Sequence, residues 1–125
     1  MQNEDDGLDH GVIADLREIG CDSADDVIGV LLRMFFEEMP NRLAAIGNFS
    51  RTADFTELAR AAHRMKGSSA VIGARRLAGI CGALESIGER GAAPDAIEDL
   101  LIALDTEANR LRETLPRALG HSGAD

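Results

Sequence analysis

The run FTELARAAHRMKGSSAVI, residues 55–72, repeats an apolar or small side chain at Phe55, Leu58, Ala62, Met65, Ser69 and Ile72. Steps of three and four alternate along it, which is the period of one face of an α-helix and of nothing else. Asp54 precedes the run and Glu57 stands three residues later, a capping-box variant that predicts the helix start. Gly73 predicts its end. Working outward, the same period recurs on both sides. Leu77, Ile80, Cys81, Leu84 and Ile87 predict a helix that stops by Gly91. Ile97, Leu101, Leu104, Ala108, Leu111 and Leu115 predict another, opening at Pro94. Upstream, Ile28, Leu31, Leu32, Phe35, Met39, Leu43 and Ile46 predict a long helix from about Ser23 or Asp25 to Gly47. The pattern stays in phase across Pro40, so a kinked continuous helix is expected there. Leu8, Val12, Ile13, Leu16 and Ile19 predict a short first helix stopping at Gly20. No strand pattern competes. Short connections between long amphipathic helices predict an all-α fold, an antiparallel up-down four-helix bundle with a short extra N-terminal helix. The bundle is expected over residues 8–118, with an acidic tail at 1–7 and a C-terminal tail at 119–125.

The chain has 125 residues, 13 Lys+Arg against 22 Asp+Glu, and a net charge of -9. One domain with one modest core fits that length. The acidic balance argues against nucleic acid and against anionic membrane as partners. With no Trp and no Tyr, base stacking would rest on four Phe alone, which argues further against single-stranded nucleic acid. No apolar run approaches the roughly 20 residues of a membrane helix, and the acidic start has no basic secretory n-region. Cys21 and Cys81 lie far apart and the three His are scattered, so neither a zinc site nor any other metal site is expected. The cysteines read as reduced and the protein as cytoplasmic. No phosphate-binding glycine motif for ATP is visible.

The candidate chemistry sits in Ala62-His63-Arg64-Met65-Lys66-Gly67-Ser68-Ser69-Ala70. On a helical projection, His63 lies roughly 140° from the centre of the apolar stripe and faces solvent. Ser69 falls on the core side. Thr56, Ala59, Lys66, Gly67 and Ala70 share the face of His63, and most of them are small. Gly67 stands in a helix interior, where glycine costs about 1 kcal/mol against alanine. A helix gains nothing for itself by clearing space around an exposed imidazole, but a partner that must reach the ring does. Lys66, the only lysine beside twelve arginines, can follow a group attached to His63 as a flexible point charge. Residues 58–84 hold Arg60, Arg64, Lys66, Arg75 and Arg76 and no acid, a local +5. This basic island is expected to steer an acidic partner. No second catalytic group near His63 is identifiable from the sequence.

The run AHRMKGSSAVIGARRLAGICGALE resembles the signature of histidine-containing phosphotransfer (HPt) domains of multistep phosphorelays. LDHGVIADLREIG and VLLRMFFEEMPNRLAAI, with its internal proline, resemble the family's first two helices. The likeness covers roughly residues 8–118. It implies the bundle derived above, a phosphoryl group accepted on His63 from a receiver aspartate and passed to another receiver, phosphoryl stabilisation by Lys66, and steric clearance at Gly67. It implies response-regulator receiver domains and hybrid sensor histidine kinases as partners, with Mg²⁺ supplied by the receiver. The chain is then a monomeric carrier with no cofactor and no ATP site of its own. The outer ring nitrogen, Nε2, is the expected acceptor. Arg60, Arg64, Ala59, Ala70 and Phe36, the last together with Pro40 and Leu43, are candidate docking residues. Arg64-Met65 departs from the smaller or uncharged pair that many members carry before the lysine. Two rivals stay open: a bundle that binds partners without being phosphorylated, and a histidine-kinase dimerisation module. The second usually has an acid directly after its histidine, where this chain has Arg64.

Overall fold

The computed structural model describes residues 5–22, 25–91, 95 and 97–121. Five helices follow one another: α1 His10–Asp22, α2 Val27–Arg51, α3 Phe55–Val71, α4 Arg75–Arg90 and α5 Ile97–Ala118. There is no strand among the described residues. Helices α2 to α5 contact one another in a closed ring, α2 with α3, α3 with α4, α4 with α5 and α5 with α2, and α1 leans on α2. This is the expected bundle. Its centre is apolar, with Ile46, Leu58, Leu77, Leu84, Leu111 and Leu115 excluded from water. Each such side chain contributes roughly 1.5–3 kcal/mol by leaving solvent.

Local chemistry sets the helix ends. Asp54 Oδ1 accepts from the Glu57 amide at 3.4 Å, capping α3 as its sequence predicts. Asp26 caps α2 through the Gly29 amide at 3.0 Å, so this helix starts just after the expected Ser23 or Asp25. It runs unbroken through Pro40 and past Gly47 to Arg51. Gly20 does not end α1, which continues to Asp22. Its bareness serves packing instead: a Cβ there would lie 2.8 Å from Ile28 Cγ1. The expected start of α5 at Pro94 lies outside the described residues. Gly91 closes α4 in the left-handed conformation, at φ 72°.

Helices α3 and α4 form the tightest pair in the bundle. Gly73, at φ 85°, turns the chain between them, and a side chain there would also strike Ile13. Further along, Gly88 lets the helices touch. A Cβ on it would stand 2.7 Å from the Phe55 carbonyl oxygen and from the Ala59 nitrogen. The close approach of α3 and α4 is therefore made at Gly88. Gly79 faces open space, and Gly82 lies beside the stem of Lys66, where a Cβ would be 3.5 Å from Cδ.

The ends of the bundle are more ordered than tails. Residues 5–8 fold onto α4 and α5, with Gly7 and Leu8 buried. Asp5 pairs with Arg75 and Arg76. Arg76 and Arg110 donate to the Asp5 and Asp6 carbonyls at 2.5 and 2.6 Å. Between the two guanidinium groups lies Glu107, 5% exposed, at 3.4 Å from Arg76 and 2.6 Å from Arg110. At the other terminus Leu119 is buried. Parts of both expected tails therefore belong to the packed body.

Candidate functional site

His63 stands on the outward face of α3, its side chain 66% exposed. Its Nδ1 lies 2.9 Å from Oε2 of Glu85 on α4. The other carboxylate oxygen, Oε1, lies 2.7 Å from Nζ of Lys66. One carboxylate thus bridges the imidazole and the ammonium. A carboxylate only accepts, so the ring donates from Nδ1 and keeps its lone pair on Nε2. Nε2 is the atom with nucleophilic capacity. The Lys66 ammonium is held above its ordinary pKa by its hydrogen bond to Glu85. Glu85 is depressed below the usual carboxylate range, first by Lys66 and then, against the cost of burial, by His63.

Gly67 follows Lys66 on the same helix, and a Cβ there would meet nothing within 4 Å. No contact among the described residues asks for glycine at that position. Beneath the site, burial pushes the Cys81 thiol up to about 12. Cys81 is therefore a packing residue and not a reactive one. Ser68 donates to the Arg64 carbonyl at 3.2 Å. Ser69 is buried, on the core side as its position predicts, and its hydroxyl finds no partner among the described residues.

The expected basic island is not one patch. Arg75 and Arg76 stand at the start of α4, about 13–15 Å along the helix from Glu85, and serve the N-terminal segment. Arg60 pairs with Glu57 at 3.3 Å. The depression around His63 is lined by Glu57, Ala59, Arg60, Arg64, Glu85 and Glu89, a set of mixed sign. The local charge is therefore close to balanced, because the chain's surplus of acid reaches the site from α4. Ala59 packs against Gly88 while also edging this depression. Arg64 and Ala70 are exposed on α3.

Phe36 is not on the face that Gly67 shares. It is half-buried toward α5, with the Arg112 guanidinium carbon 5.4 Å from its ring centroid and Phe35 edge-on at 5.2 Å. Helical geometry turns adjacent residues about 100° apart, and it is Phe35 that faces α3. With Leu31, Met34, Met39, Met65 and Val71 it lines an apolar groove of about 460 Å³ between α2 and α3, which reaches Gly67 and Ser68. Met34 and Val71 are 55% and 70% exposed there.

Residues 30–114 match the family model of the Hpt domain. The chain belongs to the Hpt domain family. A curated relative of this Hpt domain, "Histidine-containing phosphotransfer protein 2" of Arabidopsis thaliana, is 29% identical over 70 residues. That match covers 54% of this chain and 45% of the plant protein, so it spans less than half of the relative's length. Among solved structures, the crystal structure of histidine-containing phosphotransfer protein B from Pseudomonas aeruginosa PAO1 superposes with a TM-score of 0.79 at 28% identity. The superposition covers 94% of this Hpt domain and 97% of that chain. Among the described residues, no helix is long and apolar enough to cross a membrane, and no group of three or more His, Cys, Asp or Glu is placed to hold a metal ion.

Proposed function

We propose that this Hpt domain is a phosphorelay carrier. Nε2 of His63 takes a phosphoryl group from a receiver-domain aspartate and gives it to the aspartate of another receiver. The observation that carries this reading is the state of His63: exposed, tied at Nδ1 to Glu85, and flanked by Lys66 and an uncrowded Gly67. In-line phosphoryl transfer asks for positioning and charge neutralisation more than for covalent help. Glu85 positions the ring. Lys66, kept charged, supplies a cation that can swing toward the arriving phosphoryl group. Gly67 leaves room for the receiver's active-site loops. The receiver supplies the aspartyl phosphate and the Mg²⁺. This chain works as a monomer in the cytoplasm, without an ATP site of its own, and hybrid sensor histidine kinases charge the relay through their receivers.

The α2/α3 groove offers the receiver an apolar seat beside the reacting atoms, with Met34, Phe35 and Val71 as its contacts. Arg60 and Arg64, which line the depression around His63, and the exposed Ala70 are further docking contacts on α3. Because the charge near His63 is mixed, docking relies on apolar burial more than on long-range steering.

Incubation with a phosphorylated receiver tests the proposal. Acid-labile, base-stable phosphate is expected on the wild type, His10→Gln and His121→Gln, and not on His63→Gln. Equal labelling of His63→Gln would sink the assignment.

A further inference from the structure

Glu85 touches His63 through one oxygen and Lys66 through the other, and a carboxylate in that place acts on the charged intermediate as well as on the free ring. We infer that Glu85 sets how long a phosphoryl group stays on His63, by keeping the proton on Nδ1 of the phosphorylated ring. The inference rests on the carrier reading and adds a determinant of lifetime to it.

The electron bookkeeping favours a ring that never gives up this proton. Attack by the Nε2 lone pair forms the N–P bond and breaks the aspartyl O–P bond, and the aspartate leaves as carboxylate. The ring is now a phosphoimidazolium: Nδ1 keeps its proton and the ring carries a positive charge. When the next acceptor oxygen attacks phosphorus, the N–P electron pair returns to Nε2 and a neutral imidazole departs. No proton crosses the interface in either direction. If Nδ1 loses its proton in between, the departing group is an imidazole anion, a far poorer leaving group, and the phosphoryl group is stranded.

The groups facing the ring are Glu57, Arg60, Arg64 and Lys66 on α3 and Glu85 and Glu89 on α4. Of these, Glu85 holds the hydrogen bond to Nδ1. An opposite charge at hydrogen-bond distance favours the charged form of its partner. The carboxylate therefore keeps the phosphorylated ring cationic to higher pH than a neutral acceptor of the same shape. Lys66, on the other carboxylate oxygen, is a cation on a flexible stem that can turn toward the phosphoryl oxygens while Nδ1 keeps its bond to Glu85.

Glu85→Gln keeps the shape and an acceptor oxygen and removes the charge. Wild type and variant are charged with phosphoramidate, which needs no receiver: Nε2 takes the phosphoryl group and ammonia leaves. Decay is followed by phosphorus NMR from pH 5 to pH 9. Water attacks phosphorus, the electron pair returns to Nε2, and inorganic phosphate is released. We expect the variant's profile to move about one pH unit toward acid, with a half-life at pH 8 roughly threefold to tenfold longer. Nitrogen NMR of the charged ring at pH 8 should show Nδ1 protonated in the wild type and largely unprotonated in the variant. A merely structural role for Glu85 moves neither readout in this way. Coincident profiles, a shorter-lived variant, or failure of phosphoramidate to charge His63 would each overturn the inference. A carrier that decays as described yet takes nothing from any phosphorylated receiver would instead overturn the functional reading.

Discussion

Two glutamates in this bundle each sit between two basic groups, and they do opposite things. Glu107 lies between Arg76 and Arg110, 5% exposed. Both guanidinium groups also donate to backbone carbonyls of residues 5 and 6. Every partner there is a planar fork with several fixed acceptors, so the cluster clamps the N-terminal segment onto α4 and α5. Glu85 lies between His63 and Lys66, with both side chains reaching into water and empty space at Gly67. Its partners are a ring with a free lone pair and a point charge on a flexible stem. The same carboxylate chemistry makes a fastener where both partners have further fixed bonds. In the proposed carrier it serves a reactive site, where the ring of His63 is exposed and its Nε2 is left without a task.

The contrast breaks first at Gly67. Gly67→Leu puts a bulky side chain into the open space beside His63 and is expected to slow phosphotransfer from a receiver by about a hundredfold, with thermal stability equal to or above that of the wild type. Unchanged transfer kinetics would mean that the space over Gly67 is not used. Glu107→Ala is the matching test at the other cluster. It should cost roughly 2 kcal/mol in chemical denaturation and leave phosphotransfer per folded molecule unaltered. A loss of transfer without a loss of stability would erase the distinction between the two clusters.

Most of one cluster was readable in the sequence. His63, Lys66 and Gly67 fall within one and a half turns of a single helix, so their shared face follows from helical geometry alone. Glu85 did not follow, because its contact depends on how α3 and α4 register against each other. That register is set by the turn at Gly73 and by the close approach at Gly88. A signal was present all the same. Glu85 stands as many residues after Ala74 as His63 stands before it, and Gly82 mirrors Lys66 about the same residue. In a tight helical hairpin, positions equidistant from the turn meet. The window from Leu58 to Leu84 leaves out Glu57, Glu85 and Glu89, the three acids that balance Arg60, Arg64 and Lys66 around His63. The clamp at Glu107 was hidden for the same reason: three separate segments build it. Which of Phe35 and Phe36 opens onto the α2/α3 groove was not legible, because neighbouring positions on α2 differ by a rotation that periodicity resolves poorly near the edge of a stripe.

Smaller effects sharpen the comparison. Lys66→Ala is expected to slow phosphotransfer by about fivefold, as befits an exposed cation, with helix content by circular dichroism unchanged. Unaltered kinetics would remove Lys66 from the site. Acid should loosen both clusters. Glu85 is held below the usual range by Lys66, and Asp5 is held low by the Gly7 amide and, once the cost of burial is met, by Arg75 and Arg76. Groups with depressed folded pKa values contribute stability that is fully present above their unfolded values and is lost as pH falls through the folded ones. Carboxyl titration by NMR should therefore give midpoints below 3.8 for Asp5 and below 4.5 for Glu85. A midpoint for Glu85 at or above 4.5 would contradict the bridge to Lys66.

The central claim is that the outer nitrogen of His63 is where this molecule holds a phosphoryl group. Nitrogen-labelled protein, charged by a phosphorylated receiver and observed by phosphorus–nitrogen correlation NMR, tests it most directly. The account predicts a single coupling, to Nε2 of His63, with Nδ1 still bearing its proton. Coupling to Nδ1, or a phosphoryl group on His10, His121 or any other side chain, would contradict it.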